Sequence, residues 1–251
     1  MDDLALLADL HLGGARQGPG GPDETRRAIE LSNLAQGKNL KIADIGCGTG
    51  ASTLILAQTL DADIIAVDFL TDFLDRLDAA ARDAGLRGRI RPLAASMDAL
   101  SFENQSLDAI WSEGAIYNIG FETGVRGWRR LLKPGGVLAV SDLTWLTGDR
   151  PAELERRWTE QYADVATAAE KMAVLEANGY SPIGYFPLPD HCWLDNYYRP
   201  LQARFGDFLA RNDGAAAARA IVDAEQDEIA LYERYGAFFS YGFYVARKAD
   251  P

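Results

Sequence analysis

The densest chemistry in the chain sits in Asp44-Ile45-Gly46-Cys47-Gly48-Thr49-Gly50-Ala51-Ser52-Thr53. An apolar run ends in an acid, and three glycines then alternate through a tight turn. Without a Cβ, glycine lets the backbone reverse sharply and lets a ligand lie directly against it. A helix beginning at Ser52 and Thr53 would aim its free N–H groups and its positive dipole end at the same spot. Turn and helix together suit the anionic or polar part of a nucleotide-like ligand. Gly46, Gly48 and Ala51 fit the G-x-G-x-x-G/A spacing of a dinucleotide turn, and Asp68 follows about 20 residues on, where a ribose-binding acid is expected. Against a pyrophosphate stands Asp44, whose carboxylate would repel phosphate. Cys47 fits the turn as a small side chain rather than as a reactive thiol.

Further polar residues fall where strands should end. Asp68 closes the second apolar run, and an ionised carboxylate there can hold both hydroxyls of a ribose. It could equally cap the next helix. Phe69 follows and could pack on a base ring. Glu113 and Gly114 follow the fourth run, in the crevice where open α/β sheets bind ligands. Tyr117 lies just beyond, facing either a substrate or the packing of the next helix. Residues 187–198 are rich in aromatics and include His191, whose ordinary pKa near 6.5 suits a general base. That segment reads as a lid over an apolar acceptor or as an aromatic packing seam. Tyr117 and His191 are the candidate catalytic pair.

These residues need elements to hold them. From residue 40 onward the pattern alternates. Strands are expected at 41–45, 63–68, 90–94, 107–112 and 137–141. Helices are expected at 52–60, from Thr71 to a stop at Gly85, and at 124–132. Repeated βα units imply an α/β fold with a doubly wound parallel sheet and right-handed crossovers. Beyond Asp142 the rhythm changes to helices from Pro151 through Tyr162 and at 167–178, 197–212 and 215–235, with strands at 180–188 and 239–246. Ahead of the sheet, residues 4–10 form a short amphipathic stretch. Gly18-Pro19-Gly20-Gly21 forms a loop, either a plain linker or a flap. A helix after Asp23 should turn Ile29, Leu31 and Leu34 inward and stop at Gly37. The 251 residues read as one domain: an N-terminal flap and helix (1–37), a ligand-binding core (38–145) and substrate-side helices with the final strands (146–251).

Bulk properties exclude other classes. A formal net charge of −12 repels nucleic acid and anionic membranes. No run approaches the length of a membrane span. Met1-Asp2-Asp3 is acidic where a signal peptide would be basic, so a cytoplasmic protein is expected. Two cysteines, Cys47 and Cys192, make no disulfide framework, and two histidines, His11 and His191, make no histidine-rich metal site.

The string Asp44-x-Gly46-x-Gly48-x-Gly50 after an apolar strand resembles the first motif of the class I S-adenosylmethionine-dependent methyltransferases. Leu131-Leu132-Lys133-Pro134-Gly135-Gly136-Val137-Leu138 resembles that family's reversal into its fifth strand. The resemblance implies S-adenosylmethionine as cofactor and S-adenosylhomocysteine as product. It also implies a Rossmann-like seven-stranded sheet, mostly parallel with one antiparallel strand, plus extra helices in the C-terminal half. Asp44 would meet the methionine ammonium, Glu113 and Gly114 would border the methionine part, and Met97 and Asp98 would face the adenine, Asp98 receiving its amino group. The leader Gly18-Pro19-Gly20-Gly21 resembles that of a bacterial small-molecule subgroup related to the quinone-biosynthesis enzymes, which implies that it covers the cofactor. The implied acceptor is a small molecule, apolar or aromatic, with its methylated atom open. A silent cofactor-binding protein and a nicotinamide-dependent oxidoreductase are the alternatives. Oligomeric state is invisible in the residues.

Overall fold

The computed structural model describes residues 3–249; Met1 and Asp2, the start of the acidic leader, lie outside the described residues, as do Asp250 and Pro251. Seven strands form one sheet. They are β1 (Leu40–Ile45), β2 (Ala62–Asp68), β3 (Ile90–Ala94), β4 (Leu107–Glu113), β5 (Leu132–Trp145), β7 (Tyr180–Pro187) and β8 (Phe239–Lys248), in the order β3-β2-β1-β4-β5-β8-β7. A two-residue strand, β6 (Ala166–Thr167), pairs with β5 off this path. β8 runs antiparallel to both β5 and β7, and the other pairings are parallel. This is the expected doubly wound sheet with its last strand inserted antiparallel.

Side-chain alternation along the strands builds a core on each face. Ile42, Ile64, Ala109, Trp111 and Val137 point to one face. There they meet α2 (Pro22–Ser32), α3 (Ala51–Thr59) and α4 (Thr71–Asp83), through Ile29, Leu56 and Leu77. Ala43, Ile45, Ile110, Leu138 and Val140 point to the other, against α5 (Phe121–Trp128) and α7 (Ala168–Ala177), through Val125 and Leu175. Because β1 and β4 are neighbours, the chain moves outward from them in both directions, and a crevice opens beyond their C-terminal ends.

Several local expectations shift. The helix after Asp23 ends at Asn33, whose left-handed backbone (φ 62°) stops it, so Gly37 is not the stop. Leu31 is not core: it remains 37% exposed, lying over Gly184. β5 runs four residues past the expected Ser141 to Trp145, because β8 pairs with it all the way to Phe239. That extension carries Asp142 and Leu143 into the region above the sheet. Lys133–Gly136 loops out between Leu132, paired to Leu107, and Val137, paired to Ala109. The single helix expected over 197–212 is instead a chain of short pieces: α8 (Asp190–Trp193), a π-helical turn (Leu194–Tyr198), α9 (Arg199–Gln202) and α10 (Phe205–Arg211). Pro200 lacks an N–H and its ring crowds the preceding turn, which the widened π-turn accommodates. Three helices complete the fold: α1 (Asp3–Leu12), α6 (Ala152–Gln161) and α11 (Ala216–Tyr235). No helix among the described residues is long and apolar enough to cross a membrane.

Candidate active site

A cavity of about 740 Å³ occupies the crevice. One end is made of main chain. Gly46, Gly48 and Gly50 have φ of 73°, 55° and 92°, left-handed values that disfavour any side chain. A Cβ on Gly46 would lie 2.3 Å from the Ala115 Cβ, and one on Gly50 would lie 2.1 Å from Leu77 Cδ1. Gly46 and Cys47 donate their N–H groups to the Val67 carbonyl, so the turn is tied to β2. Gly46, Cys47 and Gly48 line the cavity, whereas Gly50 lies behind it as the N-cap of α3. Burial, with the charges of Asp44 and Asp68, pushes the Cys47 thiol well above its ordinary pKa. It is therefore not a nucleophile at neutral pH.

Asp44 is fully buried beneath the turn rather than on the cavity wall. Its Oδ2 accepts hydrogen bonds from Ser52 Oγ (2.9 Å) and Thr53 Oγ1 (2.6 Å), while its Oδ1 has no partner among the described residues. Burial outweighs those two bonds and pushes its pKa up to about 7. Asp68 lines the cavity; its Oδ2 accepts from Gly48 N (2.8 Å) and its Oδ1 from Leu70 N (2.9 Å). Burial raises it above the ordinary carboxyl range despite these donors. Phe69, 67% exposed, stands at the rim with Met97 and Asp98, and Ser96 Oγ donates to Asp98 at 2.5 Å. These residues fit an adenosine end. The bare turn admits a ligand, Asp68 keeps unused lone pairs, and the orphaned Asp44 oxygen awaits a donor.

Glu113 borders the cavity, but its carboxylate is already engaged. It pairs with Arg16 and accepts from Thr25 Oγ1 (2.7 Å) and Trp111 Nε1 (2.9 Å). Gly114, at φ 60°, donates to Ser141 Oγ (2.8 Å) and lies against Tyr241. Arg16 and its neighbour Gln17 are functional candidates that sequence reasoning passed over. Gln17 Oε1 accepts from Thr49 N (2.9 Å), and its amide nitrogen donates to the carbonyls of His11 and Gly14. The leader is thus latched onto the glycine turn. Gly18 and Pro19 line the cavity. Gly20 and Gly21 do not: the Gly20 carbonyl receives Asn196 Nδ2 (2.8 Å), and Gly21 caps α2. The available signal was position, since Arg16 and Gln17 directly precede Gly18.

The other end is made of side chains. Tyr117, 42% exposed, borders the cavity and meets Tyr162 edge-on at 6.2 Å. Burial raises its phenol above 10, so it stays protonated. Trp158, Trp193, Tyr197 and Tyr241 add aromatic surface, and Glu225 and Glu228 of α11 supply two carboxylates. Beneath this chamber, Tyr162 donates to Asp142 Oδ2 (2.8 Å), and Lys171 pairs with the same oxygen, both Asp142 and Lys171 being buried. Sequence reasoning gave none of these charged residues a role; each sits in a helix or strand where a single acid or lysine reads as solvated surface.

His191 corrects an expectation. It does not line the cavity, and its half-exposed ring faces Glu24 Oε1 at 3.3 Å. It opens the run of short helices on the outer side of the leader, so the structure does not bring it to Tyr117. Glu24, His191 and Cys192 place one potential metal ligand each within 4.8 Å. Burial pushes the Cys192 thiol upward, which disfavours the thiolate a metal would need.

A family model described as a methyltransferase domain matches residues 42–136. Those residues hold the glycine turn, Asp68, Asp98 and Glu113. The chain is 27% identical over 174 residues to a sterol 24-C-methyltransferase of Neurospora crassa, covering 65% of this chain and 45% of that protein. It is 28% identical to phosphoethanolamine N-methyltransferase 1 of Arabidopsis thaliana over 49% of this chain and 24% of that one. An O-methyltransferase of Aspergillus nomiae shares 24% identity over 74% of this chain and 88% of its own. The chain spans less than two thirds of the length of the first of these relatives. A solved S-adenosylmethionine-dependent methyltransferase from Geobacter sulfurreducens, in complex with S-adenosylhomocysteine, superposes with a TM-score of 0.84 at 15% identity, covering 96% of this chain and 97% of that one. A likeness at that identity speaks for the fold; the domain match speaks for the lineage. Residues 42–136 therefore form a methyltransferase domain, and the chain shares the fold of a solved S-adenosylmethionine-dependent methyltransferase.

Proposed function

We propose that this protein transfers a methyl group from S-adenosylmethionine to a small-molecule acceptor with an apolar or aromatic body. The observation that carries this reading is the continuity of one cavity, with the glycine turn and Asp68 at one end and an aromatic chamber at the other. When bound, the cofactor supplies a methyl group already activated on a positively charged sulfur. The chain's own residues do the rest. Gly46 and Gly48 give the cofactor a wall of bare backbone. Asp68 offers its remaining lone pairs to sugar hydroxyls. Phe69 and Met97 would flank the base, and Asp98 would accept from its amino group. Asp44 lies beneath the turn and off the cavity wall, so a cofactor ammonium would act on it across the turn by its charge, which lowers a raised carboxyl pKa. Gly18, Pro19 and the Gln17 latch close the turn from above.

At the acceptor end the contribution is positioning. Well-aligned reactants reach effective molarities of about 10⁵ M or more, and an aromatic wall that excludes water preserves the alignment. Tyr117, a phenol and so neutral at neutral pH, orients the acceptor as a hydrogen-bond donor and is unsuited to act as a base there. A silent cofactor-binding protein would use the same turn and the same acid, so a methylated product is the observation that separates the two. Calorimetry with S-adenosylmethionine and S-adenosylhomocysteine on wild type and Asp68→Ala tests the cofactor end. Tight binding weakened by the substitution is expected. No binding, or equal affinity in the variant, would remove the assignment.

A further inference from the structure

We propose that the chamber formed by Glu225, Glu228, Tyr117, Tyr197, Tyr241 and Trp193 binds a cationic amine, so that the acceptor is an amine carried on an apolar body. This deepens the methyl-transfer reading and rests on it.

Among the described residues, five carboxylates and one guanidinium line the cavity. Asp68 and Asp98 belong to the adenosine end, and Glu113 is closed by Arg16, Thr25 and Trp111. Glu225 and Glu228 are left over. They stand three residues apart on α11, so both face the same way. Glu225 Oε1 meets His11 Nε2 at 3.2 Å, and Glu228 Oε1 accepts from the Tyr198 hydroxyl at 2.9 Å. Among the described residues, neither has a lysine or arginine within ion-pair distance. The further cation acting on Glu228 is Arg157 of α6, which does not line the cavity and counts for less than His11. Burial, reinforced by the charge of Glu225, pushes Glu228 above the ordinary carboxyl range. Like charges on one helix face destabilise it, and withdrawing them from water adds to the cost. A ligand cation relieves both.

The walls fit the same guest. Trp193 and Tyr241 meet edge-on at 4.9 Å, and His11 stacks on Tyr197 at 6.0 Å. Glu228 acts electrostatically on Tyr117, Tyr197 and Tyr241, which places the carboxylate and the three phenols in one neighbourhood. Burial holds all three phenols neutral. Neutral aromatic faces attract ammonium groups, and more so where water is excluded. An anionic acceptor would meet two carboxylates, and a wholly apolar one would leave them with only His11 and the Tyr198 hydroxyl. The carboxylates also serve a second step. An ammonium must lose a proton before its nitrogen can accept a methyl group. The N–H bond breaks, its electron pair stays on nitrogen, and the proton passes to a Glu228 oxygen.

The test uses the full chain loaded with S-adenosylhomocysteine and two unreactive probes of one shape, choline and its uncharged isostere 3,3-dimethylbutan-1-ol. Calorimetry should show saturable choline binding at least about 10-fold tighter than the isostere, as cation–π and carboxylate contacts require. Glu228→Gln keeps an acceptor for Tyr198 but removes the charge, and the preference should shrink by about 5-fold or more. Tyr241→Leu removes one aromatic face without touching charge, and should also reduce the preference. Equal affinity for the two probes, no saturable choline binding, or competition between choline and S-adenosylhomocysteine would overturn the proposal. Binding of S-adenosylhomocysteine in the same samples keeps the two claims apart: its loss would sink the cofactor reading, whereas its retention without choline binding would sink only the amine.

Discussion

The two ends of the cavity are built by opposite means. The cofactor end is main chain: left-handed glycines, N–H groups tied to Val67, and a carboxylate fixed by Gly48 and Leu70. The acceptor end is side chain: phenols, indoles and two glutamates delivered by α6, α8, the π-helical turn, α11 and β8, with a buried Asp142–Lys171 pair beneath. A backbone turn is specified within a dozen consecutive residues and tolerates almost no substitution. A chamber assembled from distant helices can change its lining one residue at a time. The difference teaches why a common cofactor can be served by one turn while acceptors vary.

The deepest element of the acceptor end is the buried Asp142–Lys171 pair. Lys171→Met should destabilise the protein by about 3–5 kcal/mol in urea unfolding, because Asp142 would be left buried without its cation. A loss under about 1 kcal/mol would mean that the acceptor end does not rest on this pair. Gly46→Ala comes next. The left-handed backbone costs a non-glycine residue about 1–2 kcal/mol, and the contact with Ala115 adds about 1–3 kcal/mol of overpacking. Binding of S-adenosylhomocysteine should be lost, and near-normal binding would show that the turn relaxes freely. Asp68→Ala should cost about 1.5–3 kcal/mol of cofactor affinity in calorimetry, through lost charge-assisted bonds. It should leave the choline preference unchanged if the two ends are independent.

Asp44 gives a pH test of the cofactor end. Its folded pKa, about 7, lies above the unfolded value of about 3.9. Between these two values the folded protein holds a proton that the unfolded chain releases. Stability from this group is therefore full at low pH and falls as pH rises, by at most about 1.4 kcal/mol per pH unit. The stability difference between wild type and Asp44→Asn should decline from pH 5 to pH 7 and flatten above it. A difference that does not vary with pH would mean that Asp44 ionises normally. The smallest effect belongs to His191→Ala, which should change stability and cofactor affinity by no more than about 0.5 kcal/mol, as for surface sites generally. A large loss of methyl transfer would return His191 to the site.

The chain's own residues, read in order, set out the sheet. Short continuous apolar runs predict β1 through β4 to within a residue or so at each end, because a strand covered on both faces is apolar along nearly its whole length, which is a local pattern. They also mark the glycine turn and Asp68, since backbone conformation and strand ends are local properties. What only tertiary structure decided is the acceptor end. Arg16 reaches Glu113 and His11 reaches Glu225 across 97 and 214 residues of chain, and no local pattern encodes such pairings. His191 carries the right chemistry for a base, yet Glu24 holds it outside the cavity. Charge on a helix reads as solvated surface until the fold withdraws water from it. That withdrawal is what turns Glu225, Glu228 and Lys171 from ordinary surface letters into the determinants of the chamber.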